Sequence, residues 1–576
     1  MKHKYKILFS IWISLVLLSC NKKNGQDSSK SDIYEEKELC SAMQTFFADT
    51  LNMADSLVFA QYQQRDFAPF FIDKNGITNV FEKFYTQLSD VENDGLSPEM
   101  FNYEKIGFLA ERIRQNPDIQ KDSLALFDYI CVKNFIDLCS ALHFGAVNPK
   151  QARLTNYNFD VEQITPDFEE KCIKNINENL TDYVQSLVQR SKNYKLIQKE
   201  RKYYVSLQDS VFEKIPTLPE KQTLKVGESH SIIPLIVKRL MMTNEISQSD
   251  GESIIKDNKF DSLLLKSINN FQKRRGLLED KEIGNNTIRE LNVPFKDLVK
   301  KIDINLERMR WQPKFALTDR FIRVNVANQM LTAIADDTVA LNMKVCVGKE
   351  PENLTPFIHS QIYDITLNPL WRVPKSIIAK EIALKSSPAN YIKRNRMKVF
   401  HAGSQIDPDS VKWNTISEKF VPYAIVQDSG AFNSLGHIKF NFRNNFAVYL
   451  HDTNAKGAFR LHKRSISHGC VRLEKPLELA YFCLPPMSNE RFELMRDKIL
   501  FSIERQPISE QGKLLRQTSP NSLRIRNIAI NPQIPVLLEY YTVFVDENGK
   551  VAFCNDVYQL DQQLFEKLEL KKIKKS

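Results

Sequence analysis

The sequence predicts an α+β chain of several domains, helical in its first half and β-rich in its second. Three observations carry this. The chain has 576 residues, 42% hydrophobic and 26% charged, which suits a multidomain globular protein with buried cores and not a disordered chain. Apolar positions recur at helical spacing up to about residue 310. From Arg320 onward they alternate with period two, as in Phe321 to Val326, Met343 to Val347 and Ala447 to Leu450, the pattern of half-buried strands.

The elements follow in order. Lys2, Lys4 and Lys6 precede an uncharged apolar run, Ile7 to Leu18, too short for an ordinary spanning helix, so residues 1–19 read as a secretory signal. The run ends in Leu17-Leu18-Ser19-Cys20, which resembles the lipobox of bacterial lipoproteins and implies a lipid anchor on Cys20. Residues 20–34 are polar and read as a solvated tether. The implied address is periplasmic, on a membrane, with the outer membrane the expectation. Cleavage takes three lysines and no acidic residue from the net charge of +10, and the remaining charge is interspersed, with no stripe or motif for nucleic acid.

Residues 35–219 are expected to form a helical scaffold. Leu124, Phe127, Cys131, Phe135, Leu138 and Leu142 make one face of an amphipathic helix, which places Cys131 in a core. A small helical module spans 220–298, with Leu264, Ile268 and Phe271 on one face, a helix stop at Gly276 and a further short helix from Thr287. Its segments Ile268 to Leu277 and Ile283 to Asn292 resemble the peptidoglycan-binding domain found beside many cell-wall enzymes. A linker helix, 299–319, leads to the β-rich domain, 320–576. Within that domain about 380–420 is charged and irregular and reads as an inserted lid. A hairpin at 536–558, turning at Glu547-Asn548-Gly549, is expected to complete the same sheet.

Composition excludes several chemistries. No two of the 17 glycines lie closer than Gly430 and Gly436, so a dinucleotide fingerprint, a P-loop and a Gly-x-Ser-x-Gly elbow are absent. No His-Glu-x-x-His occurs, and the nearest cysteines, Cys131 and Cys139, are eight apart. Neither a standard zinc spacing nor a nucleotide cofactor is expected, and His451, His468 and Cys470 lack a fourth ligand.

What remains is Ser465-Ile466-Ser467-His468-Gly469-Cys470-Val471-Arg472, preceded by Tyr449-Leu450-His451-Asp452. A cysteine attacks a carbonyl as thiolate and needs help to reach that form near neutrality. His451, 19 residues upstream at the end of an apolar strand, is placed to be that partner. Gly469 lets the backbone approach closely, so its amide and that of Cys470 are candidate oxyanion donors. Arg472 either grips a substrate carboxylate or fixes the loop. His468 either supports the thiolate or holds the loop. Trp371 and Tyr449 are candidate walls of a substrate groove. Adjacent strand residues face opposite sides, which leaves the Asp452 side chain out.

These residues resemble the catalytic signature of the L,D-transpeptidases, the YkuD-type cysteine enzymes. The resemblance runs from about Arg323 through Tyr481 and includes Val347-Gly348-Lys349, Thr355-Pro356, Asn368 to Pro374, and Val426 to Gly436 with Asn433 and Leu435. With the helical region and the small module, the chain is similar to the large, multidomain branch of that family with an inserted capping subdomain. The resemblance implies Cys470 as acylated nucleophile, His451 as base and acid, and the amides around Gly469 and Cys470 as oxyanion hole. It also implies peptidoglycan stem peptides and glycan strands as partners, a tetrapeptide donor that loses D-Ala through a thioester, 3→3 crosslinks, and acylation by carbapenems. Two rivals remain from the sequence: an L,D-carboxypeptidase on the same fold, and a non-catalytic wall-binding lipoprotein. A papain-like order is disfavoured because His451 precedes Cys470.

Overall fold

The computed structural model describes residues 33–50, 56–116, 118–188, 191–311, 313 and 318–573. The expected signal peptide, Cys20 and nearly all of the tether lie outside the described residues. Among those described, no helix is long and apolar enough to cross a membrane.

Helices build the first half, among them Glu36–Thr50, Asn79–Asp90, Lys121–Phe144, Pro166–Glu178 and Lys192–Leu207. Helix Lys121–Phe144 carries the predicted stripe: Leu124, Phe127, Cys131, Phe135, Leu138 and Leu142 are all buried, and Cys131 and Cys139 are free thiols. Among the described residues, those up to 82 and those within 106–132 form one compact unit. Inside it the carboxylate of Asp128 is fully buried and accepts from the Tyr62 hydroxyl and from the amides of Phe70 and Phe71. Burial raises its pKa, and these donors resist the rise.

The other described residues form the second unit. Within it, helices Ile233–Met242, Gln248–Asp257, Ser262–Arg274 and Asn285–Leu291 surround one apolar core containing Leu264, Ile268 and Phe271. That core begins earlier than the expected boundary at 220, because Ile215 and Leu218 belong to it. Two asparagines explain the attachment: Asn292 and Asn285 each hold an extended residue, Ile215 and Leu218 respectively, through both its N–H and its C=O.

The expected linker helix is instead a buried beam, Phe295–Arg310. Phe295, Leu298 and Ile302 pack with Tyr194, Ile197 and Tyr204 of helix Lys192–Leu207. Its last turns bury three charged residues, all paired: Arg310 with Glu307 at 2.6 Å, and Arg308 with Asp561 at 2.5 Å and the Tyr157 hydroxyl at 2.9 Å. Removing one partner of such a pair strands a charge in the interior. Asp561→Ala is therefore expected to cost about 3–5 kcal/mol, read as a lowered urea midpoint at unchanged slope.

The strands are β1 (Ile72–Asp73), β2 (Gly76–Ile77), β3 (Arg320–Asn325), β4 (Met330–Ala335), β5 (Thr338–Gly348), β6 (Ile358–Leu367), β7 (Trp371–Arg372), β8 (Met397–His401), β9 (Ser404–Ile406), β10 (Tyr423–Gln427), β11 (Ile438–Phe442), β12 (Leu450–His451), β13 (Ser465–Ser467), β14 (Val471–Leu473), β15 (Asn527–Glu539), β16 (Val543–Val545) and β17 (Val551–Phe553). Nine of them form the main sheet in the order β13-β5-β14-β12-β11-β6-β15-β3-β4, and β4 pairs back onto β5 to close a circuit. Alternation along β11 puts Ile438, Phe440 and Phe442 in the core and leaves Lys439 and Asn441 on the other face. The α+β class holds: helices first, then a β-rich domain.

Three expectations inside this domain change. The insertion is larger and more ordered than the sequence reads. Residues 371–427 hold a four-stranded sheet, β7-β10-β8-β9, over a core of their own that includes Ile378, Ile392, Val399 and Ile425. Short strands between charged turns hide this pattern. The C-terminal hairpin β16–β17 is a separate two-stranded sheet, and it packs on helices Lys192–Leu207 and Phe295–Arg310. The main sheet gains β15 instead. Finally, Ala447 to Tyr449 precede the strand and do not belong to it: Ala447 has φ +54° and only Leu450 and His451 pair.

Candidate active site

Strand register assembles the site. β12 and β14 are parallel neighbours that pair Leu450 with Val471 and His451 with Arg472, and the amide of Val471 donates to the carbonyl of Tyr449 at 3.2 Å. Side chains of paired residues on neighbouring strands share a face. His451 and Arg472 therefore share a face, while Tyr449 and Cys470, just ahead of the two strands, join them through the ring contact of Tyr449 with His451, centroids 5.5 Å apart, and through the Tyr449 hydroxyl on Cys470. The next strand, β11, sets Lys439 opposite His451. On the other side of β14, Cys346 lies opposite Arg472.

His451 is buried, at 5% exposure. Its Nδ1 meets the backbone carbonyl of Asp452, so Nδ1–H donates there and Nε2 is left as the acceptor. Asp452 thus takes part through its main chain, which side-chain alternation did not reveal. The Asp452 carboxylate fixes the turn, accepting from the amides of His437 at 2.9 Å and Thr453 at 2.7 Å, with Lys456 paired to it. Burial, followed by the charge of Arg472, pulls the His451 pKa down to about 3. Its resting form is neutral imidazole.

Cys470 is half-buried, with Sγ 3.8 Å from the carbonyl of Ala447. Burial pushes its pKa up, while the backbone and hydroxyl of Tyr449 and the charges of Lys439 and Arg472 pull the other way. The resting pair is thus thiol and neutral imidazole, so the sulfur must lose its proton to His451 as it attacks. The Ala447 turn is held by Asn444, whose side chain accepts from the amides of Phe446 and Val448 and donates to the Val448 carbonyl at 2.8 Å.

The nucleophile loop is strapped from behind. Gly469 has φ +110°, a left-handed conformation that suits glycine. Its carbonyl accepts from Thr355 Oγ1 at 2.8 Å, and Thr355 Oγ1 accepts from the amide of Gly348 at 2.8 Å. The Thr355 carbonyl in turn accepts from Asn156 Nδ2 at 2.5 Å, and Phe357 bridges to Tyr157. A chain of hydrogen bonds thereby runs from the helical region to the loop. Thr355→Val removes both hydroxyl bonds while conserving shape. It is expected to cost about 1–3 kcal/mol of stability and to lower kcat more than it raises KM.

One expected role changes. The Gly469 N–H donates to Ser467 Oγ at 3.2 Å, so it is committed inside the loop and does not face a reacting group. Ser467 Oγ donates on to the Cys470 carbonyl at 2.6 Å. The Cys470 amide itself has no hydrogen-bond partner among the described residues.

The remaining predicted residues fall as follows. His468 is exposed, and its Nε2 pairs with Glu381 of the capping subdomain; it holds loop to cap. Trp371 opens the cap on β7 and lies against the Tyr449 hydroxyl. Tyr449 is half-buried, and burial raises its pKa. The Arg472 guanidinium acts through its charge on His451 and Cys470. Asn433, fully buried, donates to the carbonyls of Pro369 and Asp428 at 3.0 and 2.9 Å, which ties the chain entering the cap to the chain leaving it. Sequence reading missed Lys439, Thr355 and Asn444 as site residues. Only the register of β11 against β12 brings Lys439 to the site, and that is not visible before the pairing is known.

Residues 319–491 match the family model of the L,D-transpeptidase catalytic domain, and residues 56–200 match a model described as a scaffold domain. A Haemophilus influenzae protein assigned by name as an L,D-transpeptidase is 30% identical over 271 residues, 46% of this chain and 49% of that protein. The chain thus spans about half the length of the curated relative it matches. Among solved structures, the Ldtfm–avibactam carbamoyl enzyme is 12% identical, over 50% of this chain and 77% of that one, with a TM-score of 0.17. An L,D-transpeptidase of Xylanimonas cellulosilytica is 13% identical, over 45% and 91%, with a TM-score of 0.15. Scores this low do not bear on the fold. The resemblance to the L,D-transpeptidases read from the sequence is shown over residues 319–491.

Proposed function

We propose that the protein is a peptidoglycan L,D-transpeptidase that acts through a cysteine thioester. The observation that carries this is the parallel register that sets His451 beside Arg472, with Tyr449 and Cys470 in contact immediately ahead of the two strands, within the segment matched to the catalytic domain. Cys470 Sγ attacks the carbonyl between the third residue of a tetrapeptide stem and its terminal D-Ala. His451 Nε2 takes the thiol proton and passes it to the leaving amine; the C–N bond breaks and the C–S bond remains. The Cys470 amide, without a partner in the resting loop, is the donor aimed at the oxyanion. An amine from a neighbouring stem then gives its proton to His451 and displaces the sulfur, which recovers the proton. Arg472, Trp371 and Tyr449 hold the stem, and His468 fixes the cap through Glu381. The cleaved amide supplies the energy of the new 3→3 bond.

The address belongs to the same proposal. A lipid on Cys20 tethers the enzyme to a membrane facing the wall, and the helical module at 215–291 grips glycan strands. The test is mass spectrometry of the protein and of tetrapeptide-bearing muropeptides after mixing. A thioester on Cys470 with loss of D-Ala, followed by 3→3 dimers, is the expected result. Tripeptides without dimers would make it a carboxypeptidase, and sacculus binding without turnover would make it a scaffold.

A further inference from the structure

Lys439 is a cation that forms no ion pair among the described residues. It stands half-buried on the site face, directly opposite His451 across β11 and β12. Its Nζ lies over the ring of Tyr449, 4.1 Å from the centroid, and the Tyr449 hydroxyl faces Cys470. The ammonium therefore lies over the aromatic wall, on the strand next to the base. No ion pair or hydrogen bond to it occurs among the described residues. Cys470 and, after it, the carboxylate of Asp364 on β6 favour its charge, and Asp364 forms no ion pair with it, being occupied by Asn441 Nδ2 at 2.9 Å and Thr366 Oγ1 at 3.1 Å. A partly desolvated lysine is usually paired, because burial without a counter-charge disfavours its charged form.

The reaction proposed above says what would pair with it. That reaction sends a proton from His451 to the nitrogen of the departing residue. The departing residue is an α-amino acid, so its free carboxylate sits one carbon from that nitrogen. A cation beside His451 is placed where that carboxylate arrives. Resting on this reading of the reaction, we propose that Lys439 binds the terminal carboxylate of the donor peptide and makes the enzyme select stems that end in a free acid. Lys439 acts as a specificity residue; it transfers no proton and forms no covalent bond. Arg472, on the far side of His451, is left for the rest of the stem.

The test compares a tetrapeptide stem ending in a free carboxylate with the same peptide ending in a carboxamide. Each is assayed for thioester formation by the full chain and for equilibrium binding to a Cys470→Ala chain. The unmodified site is expected to prefer the carboxylate by roughly tenfold to a hundredfold, the range for a charge-assisted contact. Lys439→Met is expected to shrink that ratio by about tenfold or more, chiefly through KM, and Lys439→Arg to keep much of it. Alkylation of Cys470 by iodoacetamide, a neutral reagent, supplies the control. If Lys439→Met shifts the pH profile of alkylation and leaves the carboxylate preference intact, Lys439 serves the thiolate and the assignment is overturned. Equal binding of both peptides to Cys470→Ala also overturns it, while the transpeptidase reading survives. Failure of the chain to bind either peptide removes the transpeptidase reading, and the Lys439 assignment goes with it.

Discussion

Cys470→Ser is expected to lose turnover by more than about a thousandfold, the scale seen when a nucleophile is removed from a concerted set of groups. The structure says why serine fails although it differs by one atom. His451 is a weak base here, held neutral with a pKa of about 3, and only a thiol is acidic enough to surrender its proton to such a base during attack. Two contacts of Cys470, with the Ala447 carbonyl and the Tyr449 side, can be made by a hydroxyl. The fold should therefore survive, and the melting temperature should move little. The check is a carbapenem, which acylates the nucleophile in the proposed family. Intact mass should rise in the parent chain and stay unchanged in Cys470→Ser, while binding to sacculi persists in both. Equal labelling of the two chains would sink the nucleophile assignment.

Much of this site was legible in the sequence because its chemistry is concentrated in two short segments. His451 and Cys470 are separated by 19 residues, and the parallel pairing of β12 with β14 brings their segments side by side. The helical half was legible for the same local reason, since the stripe from Leu124 to Leu142 needs only its own periodicity. What stayed hidden depends on pairing between distant segments. Lys439 reads as one more outward residue of an alternating strand until β12 is laid beside it. Thr355 reads as part of a Thr-Pro pair until its hydroxyl is found between Gly348 and Gly469. The role of Asp452 was hidden differently. Alternation correctly turns its side chain away, and the contribution comes from its carbonyl.

The capping subdomain illustrates a further limit. Its strands are two to five residues long, too short for period two to stand out against turns rich in lysine. A core containing Val373, Ile382, Met397 and Val421 is assembled from single apolar residues scattered over some fifty positions. Its attachment is clearer in retrospect. Asn368, Pro369, Asn433 and Gly436 belong to the matching motif, and Asn433 is the side chain that ties the entry and exit of the cap together. Asn433→Ala should therefore leave alkylation of Cys470 largely intact and slow turnover of peptide stems.

Acid is expected to weaken this protein in two stages, and the first belongs to His451. Its folded pKa, about 3, lies below the ordinary histidine value of 6.5 because burial, then the charge of Arg472, disfavours the imidazolium. The unfolded chain binds the proton first as pH falls, so stability is fully present above pH 6.5 and drains away between 6.5 and 3. The shift corresponds to about 5 kcal/mol for a fully buried ring. The second stage is Glu539. Burial alone would raise it, but Arg323 at 2.7 Å overrides this and, helped by His359, holds it at about 2 against an ordinary 4.5. It contributes stability present above pH 4.5 and lost toward pH 2, about 3 kcal/mol. Urea unfolding between pH 7.5 and 3 should show the midpoint falling from pH 6.5 downward, and His451→Gln should remove the first stage while leaving the second. The same ring predicts the rate profile. Acylation should show no ascending limb near pH 6.5, because His451 is already neutral there. Alkylation of Cys470, which needs thiolate, should still be climbing at pH 9 because burial pushes that thiol up. A midpoint near 6.5 in the acylation profile would mean that His451 meets water in the working enzyme and gains its proton before the sulfur attacks.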